Sequence, residues 1–304
     1  RSAILDATET VAHLLLEPRS TSSAPLVVQL DSKHLSQLTW AVSDLVEFDA
    51  RAMSQPVRQM CYALAGRASQ PGVMRADTAT ACRSWAGVLH GLGEAGIKCG
   101  DDPRVQRVFC YALEEQLPEL LSMGQKCVPQ DVSMIAMACV DAEFKGNMEP
   151  FISAVAGRLK ERGPSNVMFN AWPQAWSNLI YACGKLVDRA GGNAKVLGVG
   201  VDVIMREGAA AMADAVGPQA RIKPNVQNLS NTLWGLAHFD WHDAGVIREL
   251  SSAFVQNLRT STSQAQACSN TLWALAKLSW YEEGVVSELA GAAADRVRSS
   301  VPQA

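Results

Sequence analysis

The sequence QNLSNTLWGLA at residues 227–237 returns at residues 266–276 as QACSNTLWALA, an offset of 39 positions. The match continues beyond these stretches at the same offset, where Trp241 aligns with Trp280. Two long similar stretches at such an offset indicate tandem copies of one supersecondary unit. The C-terminal part of the chain is therefore predicted to consist of stacked repeats, each burying its apolar face against the next.

Weaker copies of the unit precede these two. We call the position of Trp234 and Trp273 in the repeat the anchor. In the earlier copies the anchor residues are Trp40, His90, Met137 and Tyr181. We therefore predict an all-α fold, an α-solenoid of about six helix-turn-helix repeats. The predicted organisation is a capping helix or partial repeat at residues 1–18, a linker at 19–31, and a repeat array at 32–304 with units near 32–78, 79–127, 128–171, 172–223, 224–262 and 263–304.

Each unit is predicted to contain two helices. In the first helix of the fifth unit, Leu229, Leu233 and Leu236 follow the i, i+4, i+7 spacing of a helical face. This spacing is not the alternation expected of a strand. Pro129 and Pro173 stand near the predicted starts of first helices, where the missing N–H of proline is tolerated.

The composition is that of a folded protein. Hydrophobic residues make up 48% of the chain and charged residues 19%, which excludes a disordered polymer. Eight cysteines stand without any Cys-x-x-Cys pair and are predicted to be buried thiols of a reducing compartment. No apolar run approaches the roughly 20 residues that span a bilayer, so we expect a soluble protein with no membrane partner.

The stretch NTLWALAKL at residues 270–278 resembles the octotricopeptide repeat family. The likeness is close in the last two units, fair from Gln174 to Leu186, and weaker in the earlier units. The resemblance implies a helical-repeat protein that binds RNA in an organelle. It also implies a role in transcript maturation, stabilisation or translation, or in a ribosome.

The first helix carries a polar face around the anchor, opposite the leucine stripe. At about 100° per residue, this face combines the anchor with the residues seven and three positions before it and four positions after it. We call these the −7, −3 and +4 positions, and the whole surface the recognition face. Amides and cations there can hydrogen-bond the edges of unstacked bases, while aromatic rings stack on base planes. The candidate RNA-binding residues on it are Lys33, Gln37, Arg83, Gln174, Asn178, Lys185, Gln227, Asn231, His238, Gln266, Asn270 and Lys277.

A second candidate set is basic. The net charge of −3 argues against indiscriminate nucleic-acid binding, because phosphate contacts need lysine and arginine. Residues 145–225, however, carry ten basic and six acidic side chains. The predicted basic stripe consists of Arg158, Lys160, Arg162, Lys185, Arg189, Lys195 and Arg206.

Three alternatives stay open at this point. The aromatic anchors can pack between neighbouring units instead of stacking on bases, because large aromatic side chains commonly serve as core material. The asparagines at the −3 position can satisfy a neighbouring backbone group instead of a base. The first half of the chain is the more acidic half, and it can face protein instead of RNA.

No catalytic or metal chemistry is predicted. The segment HFDWHD at residues 238–243 has the composition of a metal cluster, but the aligned segment KLSWYE at residues 277–282 has no imidazole. The repeat therefore does not need metal ligands at these positions. No nucleophile stands with a base at an activating turn. We expect no enzymatic activity, no metal, no cofactor and no small-molecule substrate.

The family resemblance implies an RNA-binding protein of an organelle, and the lack of a catalytic constellation favours a non-catalytic one. Degenerate units and a near-neutral charge suit docking onto one structured RNA. The leading hypothesis is thus a structural component of a mitochondrial ribosome that binds and stabilises ribosomal RNA beside neighbouring proteins, with the chloroplast as the alternative location. The other hypotheses are a transcript-specific organellar factor for RNA maturation, stability or translation, and a protein–protein scaffold without RNA.

Overall fold

The computed structural model describes residues 3–18, 24–75, 80–124, 127–161, 172–258 and 265–300. Throughout these residues the regular secondary structure is helical and no strand is formed. The all-α prediction is confirmed for this part of the chain. None of its helices is both long enough and apolar enough to cross a membrane.

The chain divides into two compact units, unit 1 at Arg1–Arg158 and unit 2 at Leu159–Ala304. The helices of unit 1 are α1 Ala3–Leu16, α2 Ser32–Phe48, α3 Gln55–Ala68, α4 Ala81–Glu94, α5 Pro103–Cys110, α6 Leu117–Ser122 and α7 Pro129–Asp141. The unit boundary falls within α8 Glu149–Lys160. The helices of unit 2 are α9 Pro173–Arg189, α10 Val201–Val216, α11 Val226–His238, α12 Ala244–Leu258, α13 Ala265–Lys277 and α14 Glu283–Ser300.

Short 3-10 helices occur at Leu26–Gln29, Ala50–Ala52, Val73–Arg75 and Ala194–Leu197. The predicted linker at residues 19–31 contains the first of these, and its residues 19–23 lie outside the described part of the chain. A π-helical turn, Tyr111–Gln116, joins α5 to α6. Pro118 follows this turn and cannot donate to the carbonyl four residues earlier, a setting in which a helix widens locally.

Within each of the two compact units, first helices of the predicted repeats pack on first helices, and second helices pack on second helices. In unit 1 the predicted first helices are in contact in the order α2, α4, α7, and α1 packs on α3, which packs on α5. In unit 2 the first helices are in contact in the order α9, α11, α13, and the second helices in the order α10, α12, α14. This is the order expected for tandem helix pairs. The six-repeat solenoid itself stays a prediction.

The residue that follows the anchor is small in every predicted unit, which lets first helices approach closely. The residues at this position are Ala41, Gly91, Ala138, Ala182, Gly235 and Ala274. A Cβ atom at Gly91 would lie 2.5 Å from the Thr39 carbonyl carbon, and one at Gly235 would lie 2.6 Å from the Ile180 carbonyl oxygen. The backbones of neighbouring first helices are therefore in direct contact at these glycines.

First helices also end in the same way in four of the predicted units. A residue with positive φ stands six positions after the anchor, and these residues are Gly96, Glu143, Asp240 and Ser279. The next residue is a large apolar one whose N–H donates to the carbonyl five residues earlier, as from Trp241 to Leu236 (3.2 Å) and from Trp280 to Leu275 (2.9 Å). This is the Schellman ending of a helix. Because three of the four residues with positive φ are not glycine, the sequence did not predict this helix ending.

The core is built from the predicted apolar stripes. Leu229, Leu233 and Leu236 are completely buried, so the predicted leucine face is confirmed. Seven of the eight cysteines are buried and Cys110 is half-buried. Burial raises the pKa of the Cys61 and Cys183 thiols to about 12, which keeps both thiols protonated at neutral pH. The prediction of buried thiols is thus largely confirmed.

Candidate nucleic-acid interface

An aromatic ladder runs across the first helices of unit 2. It consists of Tyr181 on α9, Trp234 on α11 and Trp273 on α13. The ring centroids are 5.1 Å apart between Tyr181 and Trp234 and 5.8 Å apart between Trp234 and Trp273. Trp273 is 43% exposed, and the other two rings are half-buried. The anchors of neighbouring units therefore pack on one another and still leave ring surface at the recognition face.

Two lysines at the +4 position lie over this ladder. The Lys185 ammonium is 5.4 Å from the Trp234 ring centroid and 6.0 Å from that of Tyr181. The Lys277 ammonium is 5.3 Å from the Trp273 ring centroid. At such distances the ring face attracts the cation. Since an ammonium group has three N–H donors, it can contact a ring face and still donate to an anionic ligand.

The amide positions of unit 2 differ in exposure. At the −7 position Gln174, Gln227 and Gln266 are all exposed. At the −3 position Asn178 and Asn270 are half-buried, whereas Asn231 is buried and accepts a hydrogen bond of 2.6 Å from Gln227. A ligand on this face would thus meet the glutamines first, and Asn231 serves to orient Gln227.

His238 lies inside the ladder and not on its surface. Its side chain is 4% exposed, and its ring centroid is 4.0 Å from that of Trp234 and 4.9 Å from that of Trp273. Burial lowers the pKa of the His238 imidazole, and the nearby Lys277 charge lowers it further. The burial argues against direct contact with RNA, and His238 is left out of the interface proposed below.

Protonation of His238 is expected to destabilise the protein in mild acid. Because the pKa is lowered in the folded state, the unfolded chain binds more protons once the pH falls below about 6.5. The stabilisation from the neutral ring is present above that pH and is lost as the pH falls through the folded-state pKa. Urea unfolding of the wild type between about pH 7.5 and 5 should therefore show a steeper loss of stability than that of His238→Leu. Equal pH dependence in both proteins would contradict this assignment.

The predicted basic stripe is spread over several elements. Arg158 and Lys160 lie on α8, Lys185 and Arg189 on α9, Lys195 in a 3-10 helix and Arg206 on α10, whereas Arg162 lies outside the described residues. Arg206 pairs with Glu207 at 3.2 Å. Lys160, Arg189, Lys195 and Arg206 are exposed, and Arg158 is half-buried. Lys185 is thus the member of the stripe that also belongs to the recognition face.

Unit 1 presents the same face with a different charge. Lys33, Gln37 and Arg83 are exposed, and the Trp40 and His90 anchors pack with ring centroids 5.5 Å apart. The +4 position, however, carries Asp44, Glu94 and Asp141 in unit 1 and Lys185, His238 and Lys277 in unit 2. This reversal of sign is already present in the sequence, where Asp44 and Glu94 align with Lys185 and Lys277.

One group of possible metal donors occurs among the described residues. Donor atoms of His90, Glu94 and Asp141 lie within 4.8 Å of one another, with His90 Nε2 at 3.7 Å from Glu94 Oε1. The His90 Nδ1 atom is buried and has no hydrogen-bond partner in the described part of the chain. A metal-binding imidazole normally donates its other N–H to a partner, and the His90 imidazole lacks this support among the described residues. The separate HFDWHD segment uses Asp243 to accept hydrogen bonds from the backbone N–H groups of Gly245 and Val246 at the start of α12.

No protein-family model matches the chain, and no curated protein matches it in sequence. The resemblance to the octotricopeptide repeat family therefore rests on the repeated residues themselves.

Proposed function

We propose that this protein is a non-catalytic, organellar RNA-binding protein of the octotricopeptide repeat type, with the recognition face of α9, α11 and α13 as its RNA interface. The observation that carries the proposal is the aromatic ladder with Lys185 and Lys277 over its rings. Partly exposed rings can stack on bases, and ammonium groups beside them can contact phosphates. The exposed glutamines Gln174, Gln227 and Gln266 add donors and acceptors for base edges.

Within this class we propose a structural component of a mitochondrial ribosome that binds ribosomal RNA. Two side chains that would read bases in the fifth unit, Asn231 and His238, are buried. Few base-reading groups and a net charge of −3 suit docking onto one fixed structure with protein neighbours better than reading a strand base by base. A transcript-specific organellar factor is the second candidate. The third candidate is a protein–protein scaffold without RNA. The acidic +4 residues of unit 1 favour protein binding by that unit.

The two ladder lysines provide the test. Fluorescence anisotropy with a labelled transcript of mitochondrial ribosomal RNA, at several salt concentrations, measures affinity and its salt dependence. The double variant Lys185→Ala/Lys277→Ala is expected to bind about tenfold more weakly. Its slope of log K against log salt should be shallower by about 1.4, since each contact to single-stranded phosphate contributes about 0.7.

Arg248→Ala is the matched control. Arg248 lies on α12 with its guanidinium carbon 5.5 Å from the Trp280 ring centroid, so the variant also removes a cation from an indole, but outside the recognition face. It should bind RNA as the wild type does. Equal losses in the control and the double variant, or no RNA binding by the wild type, would overturn the proposed interface. Equal affinity for a messenger RNA competitor of the same length would favour the transcript factor over the ribosomal component.

A further inference from the structure

A pocket of about 450 Å³ opens on the recognition face of unit 1. Its walls come from three first helices, with Trp40 and Asp44 from α2, Arg83 and Gly87 from α4, and Met134 from α7. A Cβ atom at Gly87 would collide with the Ser36 hydroxyl of α2, so the floor lies where α2 and α4 meet. A volume of this size falls within the roughly 300–1,000 Å³ range of ligand pockets.

An indole and a carboxylate stand side by side at this pocket. Trp40 and Asp44 are four residues apart on α2, which places both side chains on one helix face. Trp40 is 40% exposed, and Asp44 is exposed as well. A planar guanidinium can stack on an indole while its edge donates two hydrogen bonds to a carboxylate.

The surrounding charge also favours a cation over a phosphate. Beyond Trp40 and its neighbour His90, the recognition face continues with Glu94 and Asp141. Among the residues that the structure describes, the pocket lining includes one cationic side chain, Arg83, and the buried carboxyl of Asp131. The Arg83 charge acts on that carboxyl, since it counters part of the rise in the Asp131 pKa that burial causes. The carboxylates of Asp44, Glu94 and Asp141 would repel RNA phosphates, which are instead proposed to bind the lysines of unit 2.

We propose that this pocket binds an arginine side chain from a basic segment of a partner protein, with the guanidinium stacked on Trp40 and hydrogen-bonded to Asp44. The face of unit 1 is then a protein-docking surface. This inference does not depend on RNA binding by unit 2. It would give the protein a direct contact with a basic protein neighbour.

The test uses the full chain and a fluorescein-labelled peptide of alternating glycine and arginine. Asp44→Asn and Trp40→Ala are each expected to raise the dissociation constant about tenfold, because each removes one side of the guanidinium site. The matched controls are Glu47→Gln and Phe48→Ala, two exposed residues of α2 that do not line the pocket. Both controls should stay within about twofold of the wild type. Replacing the arginines of the peptide with lysine should weaken binding to the wild type.

Arg83→Ala distinguishes a cationic ligand from RNA by the sign of its effect. Removing this cation should lower the dissociation constant of the arginine peptide about threefold. If the pocket held RNA instead, the same variant would bind a single-stranded RNA more weakly. Weaker peptide binding by Arg83→Ala would overturn the proposal. So would equal losses in the controls, or a Trp40→Ala variant that loses RNA binding and keeps peptide binding. The Lys185→Ala/Lys277→Ala variant should bind the peptide normally, so a failure of RNA binding in unit 2 is recognised separately.

Discussion

Replacing Gly235 with alanine is expected to lower the free energy of unfolding by about 3 kcal/mol, at the upper end of the range for overpacked cores. The new Cβ atom would lie 2.6 Å from the Ile180 carbonyl oxygen, 2.7 Å from its Cγ2 atom and 2.8 Å from its carbonyl carbon. Two of these atoms belong to the backbone of α9, which cannot rotate away. The helices α9 and α11 would have to separate, and the ladder between Tyr181 and Trp234 would separate with them.

Gly291→Ala is the matched control for this substitution. Gly291 lies within α14, is exposed, and has no atom within 4 Å of the place that an added Cβ atom would take. Alanine is a better helix former than glycine by about 0.8–1 kcal/mol, so this variant should be slightly more stable than the wild type. Urea unfolding followed by circular dichroism measures both variants. A Gly235→Ala protein as stable as Gly291→Ala would show that α9 and α11 are not in backbone contact.

Replacing Trp85 with alanine is expected to destabilise unit 1 by about 4 kcal/mol. Trp85 on α4 is completely buried, and its ring packs on that of Tyr111 in a T-shaped arrangement with the centroids 6.0 Å apart. Truncation would remove the apolar contacts of the indole and leave a cavity that close-packed neighbours fill only in part. Urea unfolding followed by circular dichroism should show the transition of unit 1 moving to lower urea.

Two further variants make the Trp85 result specific. The indole N–H of Trp85 is buried without a hydrogen-bond partner among the described residues. Trp85→Phe therefore removes an unsatisfied donor together with some volume, and it should lose only about 1 kcal/mol. Phe48→Ala removes an aromatic ring that is 78% exposed and should stay within about 0.5 kcal/mol of the wild type. Similar losses for Trp85→Ala and Phe48→Ala would contradict the burial of Trp85.

The reversal of charge at the +4 position separates two proposed roles. In unit 2 the cations Lys185 and Lys277 lie over aromatic rings, and in unit 1 the carboxylate Asp44 stands beside Trp40 at a pocket. The same repeat position thus offers a phosphate contact in one unit and a guanidinium contact in the other. The two proposals together assign one surface to RNA and the other to a basic protein.

Much of the helical organisation was predictable from sequence. Pro129 and Pro173 open α7 and α9, and the leucine stripe of α11 is buried as its spacing predicts. These features follow from local periodicity and from the chemistry of helix ends. The unit boundary within α8 and the Schellman endings at Glu143, Asp240 and Ser279 were not predictable, because they depend on contacts and backbone angles that residue type does not dictate.

The candidate interface was predictable only in part. The sequence places Gln227, Asn231 and His238 together on one helix face as candidate RNA contacts. The structure exposes Gln227 and buries Asn231 and His238, because rings from α11 and α13 close around the His238 imidazole. Exposure at one helix position depends on side chains of the neighbouring unit, which a single helical projection does not contain.

The sequence by itself determined that the described chain is helical and where its first helices lie, because apolar spacing and capping residues act within a few positions of one another. Only the tertiary structure decided that the aromatic anchors form a ladder, that two lysines lie over it, and that a pocket opens beside Trp40. The ladder, the contact of Lys185 with Trp234 and the pocket each join helices that are about 40 or more residues apart in the sequence, so packing between helices creates them. Lys277 and Trp273, by contrast, are four residues apart on α13, so their contact follows from helical spacing.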